Sequence, residues 1–125
     1  MKWIYVFIGL IFFSVSGCVK QCDGTYDRSD IVISKTGNGI KIHNNYTLPV
    51  FVKTVIVYNA SDSIIGGYVD SSGTKILSLF SHTYDWSDLN LTDTSANVKA
   101  ATVFYERQYC DYGTDNVYDG KQVQF

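Results

Sequence analysis

Val50-Phe51-Val52-Lys53-Thr54-Val55-Ile56-Val57-Tyr58 is the stretch that decides the fold. It is almost continuously apolar and heavily β-branched, and β-branched side chains suit a pleated strand better than a helix. Its length and its turn-rich borders point to a central strand. Downstream, Asn59-Ala60-Ser61-Asp62 reads as a turn and Ile64 to Val69 as the return strand. Gly66-Gly67 within that strand suggests a bulge or close packing. Asp70-Ser71-Ser72-Gly73 reads as another turn, and Lys75 to Phe80 as the next strand, with Ile76 and Phe80 on one face. Ser81 to Asp93 then reads as a long polar and aromatic connection, with Leu89 and Leu91 as candidate anchors.

Val98 to Tyr109 is the second long strand. One face carries Val98, Ala100, Thr102 and Phe104, and the other Lys99, Ala101, Val103, Tyr105 and Arg107. Residues 113–120 read as a loop, followed by a final short strand, Lys121 to Phe125, with Val123 and Phe125 inward. Upstream of the deciding stretch, Ile31 to Ser34 and Ile40 to His43 flank the turn chemistry Thr36-Gly37-Asn38-Gly39 and form a hairpin. Asn44 to Pro49 is a loop. Seven to eight strands at short intervals, with no credible helix after the leader, predict an all-β fold. The spacing fits a small antiparallel β-sandwich, Ig-like or transthyretin-like, with a small closed barrel as the alternative.

The chain has 125 residues, which allows one domain. Ten Lys+Arg against twelve Asp+Glu give a net charge of −2. That excludes a basic nucleic-acid binder and a highly charged disordered chain.

The N-terminus, MKWIYVFIGLIFFSVSGC, orders a positive Lys2, an apolar run from Trp3 to Val15, and small residues before Cys18. This is the layout of a secretory signal, and the run is short of the roughly 20 apolar residues of a spanning helix. Val15-Ser16-Gly17-Cys18 resembles a bacterial lipobox: an aliphatic residue, a small residue, Gly or Ala, then Cys. The resemblance implies that cleavage follows Gly17 and that Cys18 receives diacylglycerol and a further acyl chain such as palmitate. Each buried methylene then contributes roughly 0.8 kcal/mol to the anchor. The expected division is a signal peptide over 1–17, a lipidated tether over 18–30 and a β-sandwich domain over 31–125. Val19 follows Cys18 where Asp would favour the inner membrane, so the resemblance points to the outer membrane in a Gram-negative host.

Three cysteines make an odd number, which asks for an explanation in an exported chain. Acylating Cys18 leaves Cys22 and Cys110 as a pair, expected as a disulfide in an oxidising compartment. Closing so long a loop is worth roughly 4–5 kcal/mol in the chain-entropy model. Two free thiols are the alternative.

No catalytic constellation is legible. His43 and His82 lie in no recognised motif, and adjacent Ser81 and His82 would point to opposite faces of a strand. Asp85, Asp88 and Asp93 lack the order of an EF-hand. Glu106, the sole glutamate, follows Tyr105 and precedes Arg107, which reads as a cross-strand charge pair and not a lone acid. Asn45, Asn59 and Asn90 begin N-x-[ST] triplets, of which about one is expected by chance. Aromatic loops carry more information. Tyr84 and Trp86 flank Asp85, while Tyr109, Tyr112 and Tyr118 surround Cys110. Tyr and Trp combine large contact area with few rotamers and a polar tip, so these five are the candidate partner-binding residues.

The strand pattern also resembles, loosely, small Ig-like modules of bacterial envelope lipoproteins, through Thr54-Val55-Ile56-Val57-Tyr58, its turn and Ile64-Ile65-Gly66. The expectation is therefore a non-enzymatic, lipid-anchored envelope protein with no cofactor or metal and no nucleic-acid partner. It would touch the bilayer through its lipid and bind another envelope protein as an assembly partner or receptor blocker. An adhesin-like or ligand-binding domain is the alternative, and a secreted hydrolase a more distant one.

Overall fold

Turn chemistry at Thr36 sets the first hairpin. The computed structural model describes residues 31–108 and 116–125. Strands β1 (Ile31–Lys35) and β2 (Gly39–Asn44) pair antiparallel, from Lys35 opposite Ile40 to Ile31 opposite Asn44. The Thr36 hydroxyl accepts from the amides of Asn38 and Gly39 and donates to the Gly39 carbonyl, closing the turn. A side chain at Gly39 would run into the Tyr84 carbonyl of the neighbouring strand.

The deciding stretch forms β3 (Val50–Tyr58) as expected. Its buried side chains are Val50, Val52, Val55 and Val57, a spacing that breaks strict alternation. The register shifts between Val52 and Thr54 against both neighbours, leaving Lys53 as an extra residue. This bulge resets the phase, so an almost continuous apolar run turns four valines to one side. Burial of each is worth roughly 1.5 kcal/mol or more.

Strand β4 (Ile64–Ile76) corrects the expectation of two strands divided by a turn. Residues 70–73 bulge out opposite Lys53, and the chain then resumes its direction instead of reversing. The turn chemistry acts locally. Asp70 Oδ1 accepts from the Ser72 amide at 3.1 Å and hydroxyl at 2.7 Å, and Gly73 takes φ +83°. The Ser72 hydroxyl is the main cause holding the Asp70 carboxyl below its ordinary pKa. Lys53 Nζ reaches over to the Ser71 carbonyl at 2.8 Å. The strand ends at Ile76, so residues 77–80 are a turn and not strand. Ile76 is buried and Phe80 exposed, so they share no face.

Strand β5 (Ser81–Asp85) lies inside what the sequence reads as a connection, and it pairs with β2. After a 3-10 turn at Ser95–Asn97, strand β6 (Ala100–Gln108) pairs with β3. Of its two faces, Ala101, Val103, Tyr105 and Arg107 turn inward, while Phe104 is exposed. Strand β7 (Asn116–Gln124) begins earlier than expected, within the predicted loop. Val123 packs on the core as predicted, whereas Phe125 is 40% exposed.

Two antiparallel sheets result, β1-β2-β5 and β4-β3-β6-β7. The pairing of β2 with β5 in one and β3 with β6 in the other is an Ig-like Greek key, with the fourth strand on the larger sheet. The expected small all-β sandwich is thus the fold, and the predicted signal helix lies outside the described residues. Ile31, Ile33, Ile40, Ile42 and Tyr84 face the β3 valines, Ile65, Ile76, Ala101, Val103 and Tyr105 across the core. Leu89, fully buried, anchors the β5–β6 connection as predicted, and Leu91 packs beside it. That connection covers the edge of β4, with Gly67 N donating to Leu89 O and Thr92 N to Ile65 O, both at 2.8 Å. Gly66 is a close-packing glycine, because a Cβ there would lie 2.8 Å from the Leu89 carbonyl.

The strand register fixes two ends. At one end the chain enters β1 at Ile31, opposite Asn44; the β2–β3 loop, the β4–β5 turn and the Gln108/Asn116 strand ends lie there too. At the far end lie the Thr36 turn, residues 59–63 and the start of the β5–β6 connection. Among the described residues no helix is long and apolar enough to cross a membrane.

Candidate functional site

Of the three aromatic candidates among the described residues, the structure places one in the open. Tyr118 on β7 is 72% exposed. Tyr84 is a core residue at 1% exposure: once residues 81–85 form a strand, alternation turns this ring inward. It packs against Tyr68 at 5.1 Å and against the edge of His82 at 4.6 Å. Burial pushes its phenol up to about 12. Trp86 packs partly on the core, and its indole Nε1 donates to the Gly37 carbonyl at 3.0 Å. It sits at the far end, whereas the β6–β7 connection leaves Gln108 at the entry end. Trp86 and the described ends of the β6–β7 connection therefore lie at opposite ends of the sandwich. Tyr109, Tyr112, Cys18, Cys22 and Cys110 lie outside the described residues.

Tyr118 instead joins residues on the outer face of the four-stranded sheet. Phe104 on β6 is 46% exposed and stands opposite Gly120 on β7. A Cβ at Gly120 would come within 2.9 Å of the Phe104 ring, so glycine is what lets that ring lie across the strand. Tyr118 stands opposite Glu106. A cleft of about 370 Å³ opens here, lined by Lys53, Phe104, Tyr105, Tyr118, Asp119 and Gly120. Glu106 pairs across the strands with Lys53 Nζ at 3.3 Å, the cross-strand charge pair the sequence suggests, with Lys53 on β3 as a partner. Adjacent strand residues face opposite ways, and Arg107 is buried on the inner side, its guanidinium over the Tyr46 ring at 5.3 Å. The site is thus an aromatic rim beside a partly shielded ion pair, a combination suited to contact with another protein surface.

A second exposed apolar group occupies the turn between β4 and β5. Leu77 is 47% exposed, Leu79 70% and Phe80 63%. Leu79 adopts φ +66°, a left-handed conformation that is costly for a bulky side chain. Buried Asn44 holds this turn. Its carbonyl accepts from Leu79 N at 2.7 Å, and its amide donates to Phe80 O at 3.0 Å. Its side-chain Nδ2 donates to Leu48 O at 2.9 Å and Ile76 O at 3.1 Å, and its Oδ1 accepts from Tyr46 N at 2.8 Å. The sequence does show the apolar residues of this turn, but their alternation with Ser78 reads as strand.

His43 Nδ1 and Ser81 Oγ form a hydrogen bond across β2 and β5. Sequence reasoning weighed Ser81 against its neighbour His82 and missed this partner, which only the strand register reveals. The pair lies on the solvent side of the three-stranded sheet, since Ile42 and Tyr84 occupy the inner side. The hydrogen bond is exposed to solvent, with the His43 side chain itself half-buried. The acidic residues of the far end have structural work. Asp88 Oδ2 accepts from Asp85 N at 3.2 Å, and Asp93 Oδ1 from Thr94 N at 2.7 Å and Asn97 Nδ2 at 2.9 Å. The Thr94 amide is the main cause holding Asp93 below the ordinary carboxylate range.

No protein-family model and no curated protein matches this chain.

Proposed function

We propose that the chain is a lipid-anchored envelope lipoprotein that acts by binding another envelope protein and performs no catalysis of its own. The exposed Phe104–Tyr118 rim around its cleft is the observation that carries the binding half of this reading. Large rigid aromatics beside a half-shielded Lys53–Glu106 pair are the ingredients of a binding hot spot. The anchor half rests on the lipobox resemblance at Val15-Ser16-Gly17-Cys18. It is supported by the chain's entry into β1 at one end of the sandwich, which leaves the outer face of the larger sheet clear of the tether's attachment point. We also propose the Cys22–Cys110 bridge, on the cysteine count and the chain distances from the fold. Cys110 follows Gln108 by two residues and Cys22 precedes Ile31 by nine, and Gln108 and Ile31 lie at the same end of the sandwich. In a Gram-negative host the proposed location is the outer membrane.

The test is site-specific photo-crosslinking in intact cells from Tyr118 and, separately, from Lys41 on the outer face of the other sheet. Adducts of defined mass from Tyr118, lost on Phe104→Ala and absent from Lys41, are expected. Equal or absent adducts from both positions count against the binding surface.

A further inference from the structure

The turn between β4 and β5 presents Leu77, Leu79 and Phe80 to solvent at the end where the chain enters β1. The described connections at this end, residues 45–49 and 77–80, contain no charged side chain. The third, 109–115, carries Asp111 and Asp115 and lies outside the described residues. The far end is acidic: Asp62, Asp85, Asp88 and Asp93 stand there against Lys35 and Lys99. Leu79 also holds a backbone conformation that Gly or Asn would adopt more cheaply, and its side chain is directed outward. Folding alone does not favour leucine at this position. A surface that needs an apolar side chain there does.

We propose that the 77–80 turn is a second membrane contact, its apolar side chains entering the headgroup–acyl boundary of the bilayer that holds Cys18. This rests on the lipoprotein reading above. Thirteen residues run from Cys18 to Ile31, a reach of at most about 45 Å. The tether joins the fold at the entry end, the end that carries this turn. A convex, uncharged tip with two leucines and a phenylalanine matches the boundary region of a bilayer, where apolar side chains gain burial without needing a shaped pocket. The acidic far end then points away from an anionic leaflet, the orientation that electrostatics favours. The contact would hold the sandwich upright and leave the Phe104–Tyr118 rim facing sideways, open to a neighbour in the same membrane.

Depth-dependent quenching tests this directly. Removal of the leader takes Trp3 with it, so Trp86, at the far end, is the sole tryptophan of the processed chain. The membrane-extracted protein and a Phe80→Trp variant are reconstituted into phosphatidylethanolamine–phosphatidylglycerol vesicles, with and without brominated acyl chains. The parent emission is expected to be the same in both, while the added indole loses about half of its emission or more, as contact with the acyl boundary requires. Adding Leu77→Ser and Leu79→Ser is expected to restore it. Lipid on Cys18 is read on the same sample by mass spectrometry. An unquenched indole on a lipid-bearing chain overturns the membrane contact and leaves the anchor standing. If that indole is also blue-shifted, the tip is covered by protein, either the tether or a second copy. Quenching on a chain without lipid supports the contact and overturns the anchor. Neither lipid nor quenching overturns both.

Discussion

Leu79 gives its amide to the carbonyl of Asn44 at 2.7 Å, so the most exposed leucine of the entry end hangs on a fully buried asparagine. Asn44 bonds through backbone and side chain alike, tying the end of β2 to the β2–β3 loop, the end of β4 and the β4–β5 turn. One residue thereby positions both described connections at the end where the chain enters β1.

Replacing it tests that arrangement. Asn44→Ala removes three side-chain hydrogen bonds and leaves the buried Ile76 carbonyl without that donor. A buried polar group stripped of its partner costs about 1–3 kcal/mol, so a loss of about 3 kcal/mol is expected in urea denaturation. A change within about 0.5 kcal/mol, the range of an ordinary surface substitution, would show that the knot is not structural.

Leu79→Gly is expected to act in the opposite direction. The left-handed backbone at φ +66° penalises a leucine by about 1–2 kcal/mol and a glycine hardly at all. Part of that gain is lost to the greater freedom of glycine in the unfolded chain, so a net stabilisation of about 0.5–1 kcal/mol is expected. An upward shift of the urea midpoint with unchanged slope supports this reading. A clear destabilisation would mean that the leucine side chain packs for the fold and not for an external surface.

Tyr84 makes stability fall in alkali. Burial is the main cause that raises its phenol from 10 to about 12, and burial raises Tyr105 in the same direction. A phenol that ionises more readily once unfolded leaves stability whole below about pH 10. Stability is then lost as pH climbs toward about 12, by up to about 3 kcal/mol for Tyr84. Urea midpoints measured across that window are expected to drop, and Tyr84→Phe to flatten the drop. A flat profile in the parent protein would contradict the burial of both rings.

Much of the fold is legible in the sequence because its signals are local. The Thr36 turn, the β-branched run of β3 and the alternation of β6 each carry their own warrant. Strand β5 is not legible in the same way. Ser81-His82-Thr83-Tyr84-Asp85 is polar because it is an edge strand, with Tyr84 as its one buried residue. That misreading also sends Tyr84 to the surface as a binding residue. The 70–73 segment has true turn chemistry, and only the register with Lys53 shows it to be a bulge. Phe104 and Tyr118 are visible as residues, but which face of β6 is the outer one depends on the bulge in β3 and on the partner sheet. The His43–Ser81 bond spans residues far apart in sequence, and no local pattern announces it.

The proposed lipid on Cys18 is the feature on which anchoring and membrane contact both depend. Intact-mass and peptide mass spectrometry of the membrane-extracted chain should find a mature N-terminus at Cys18 bearing diacylglycerol and an added acyl chain, and Cys18→Ser should leave the precursor uncut. A mature chain that begins elsewhere, or at an unmodified Cys18, would contradict it.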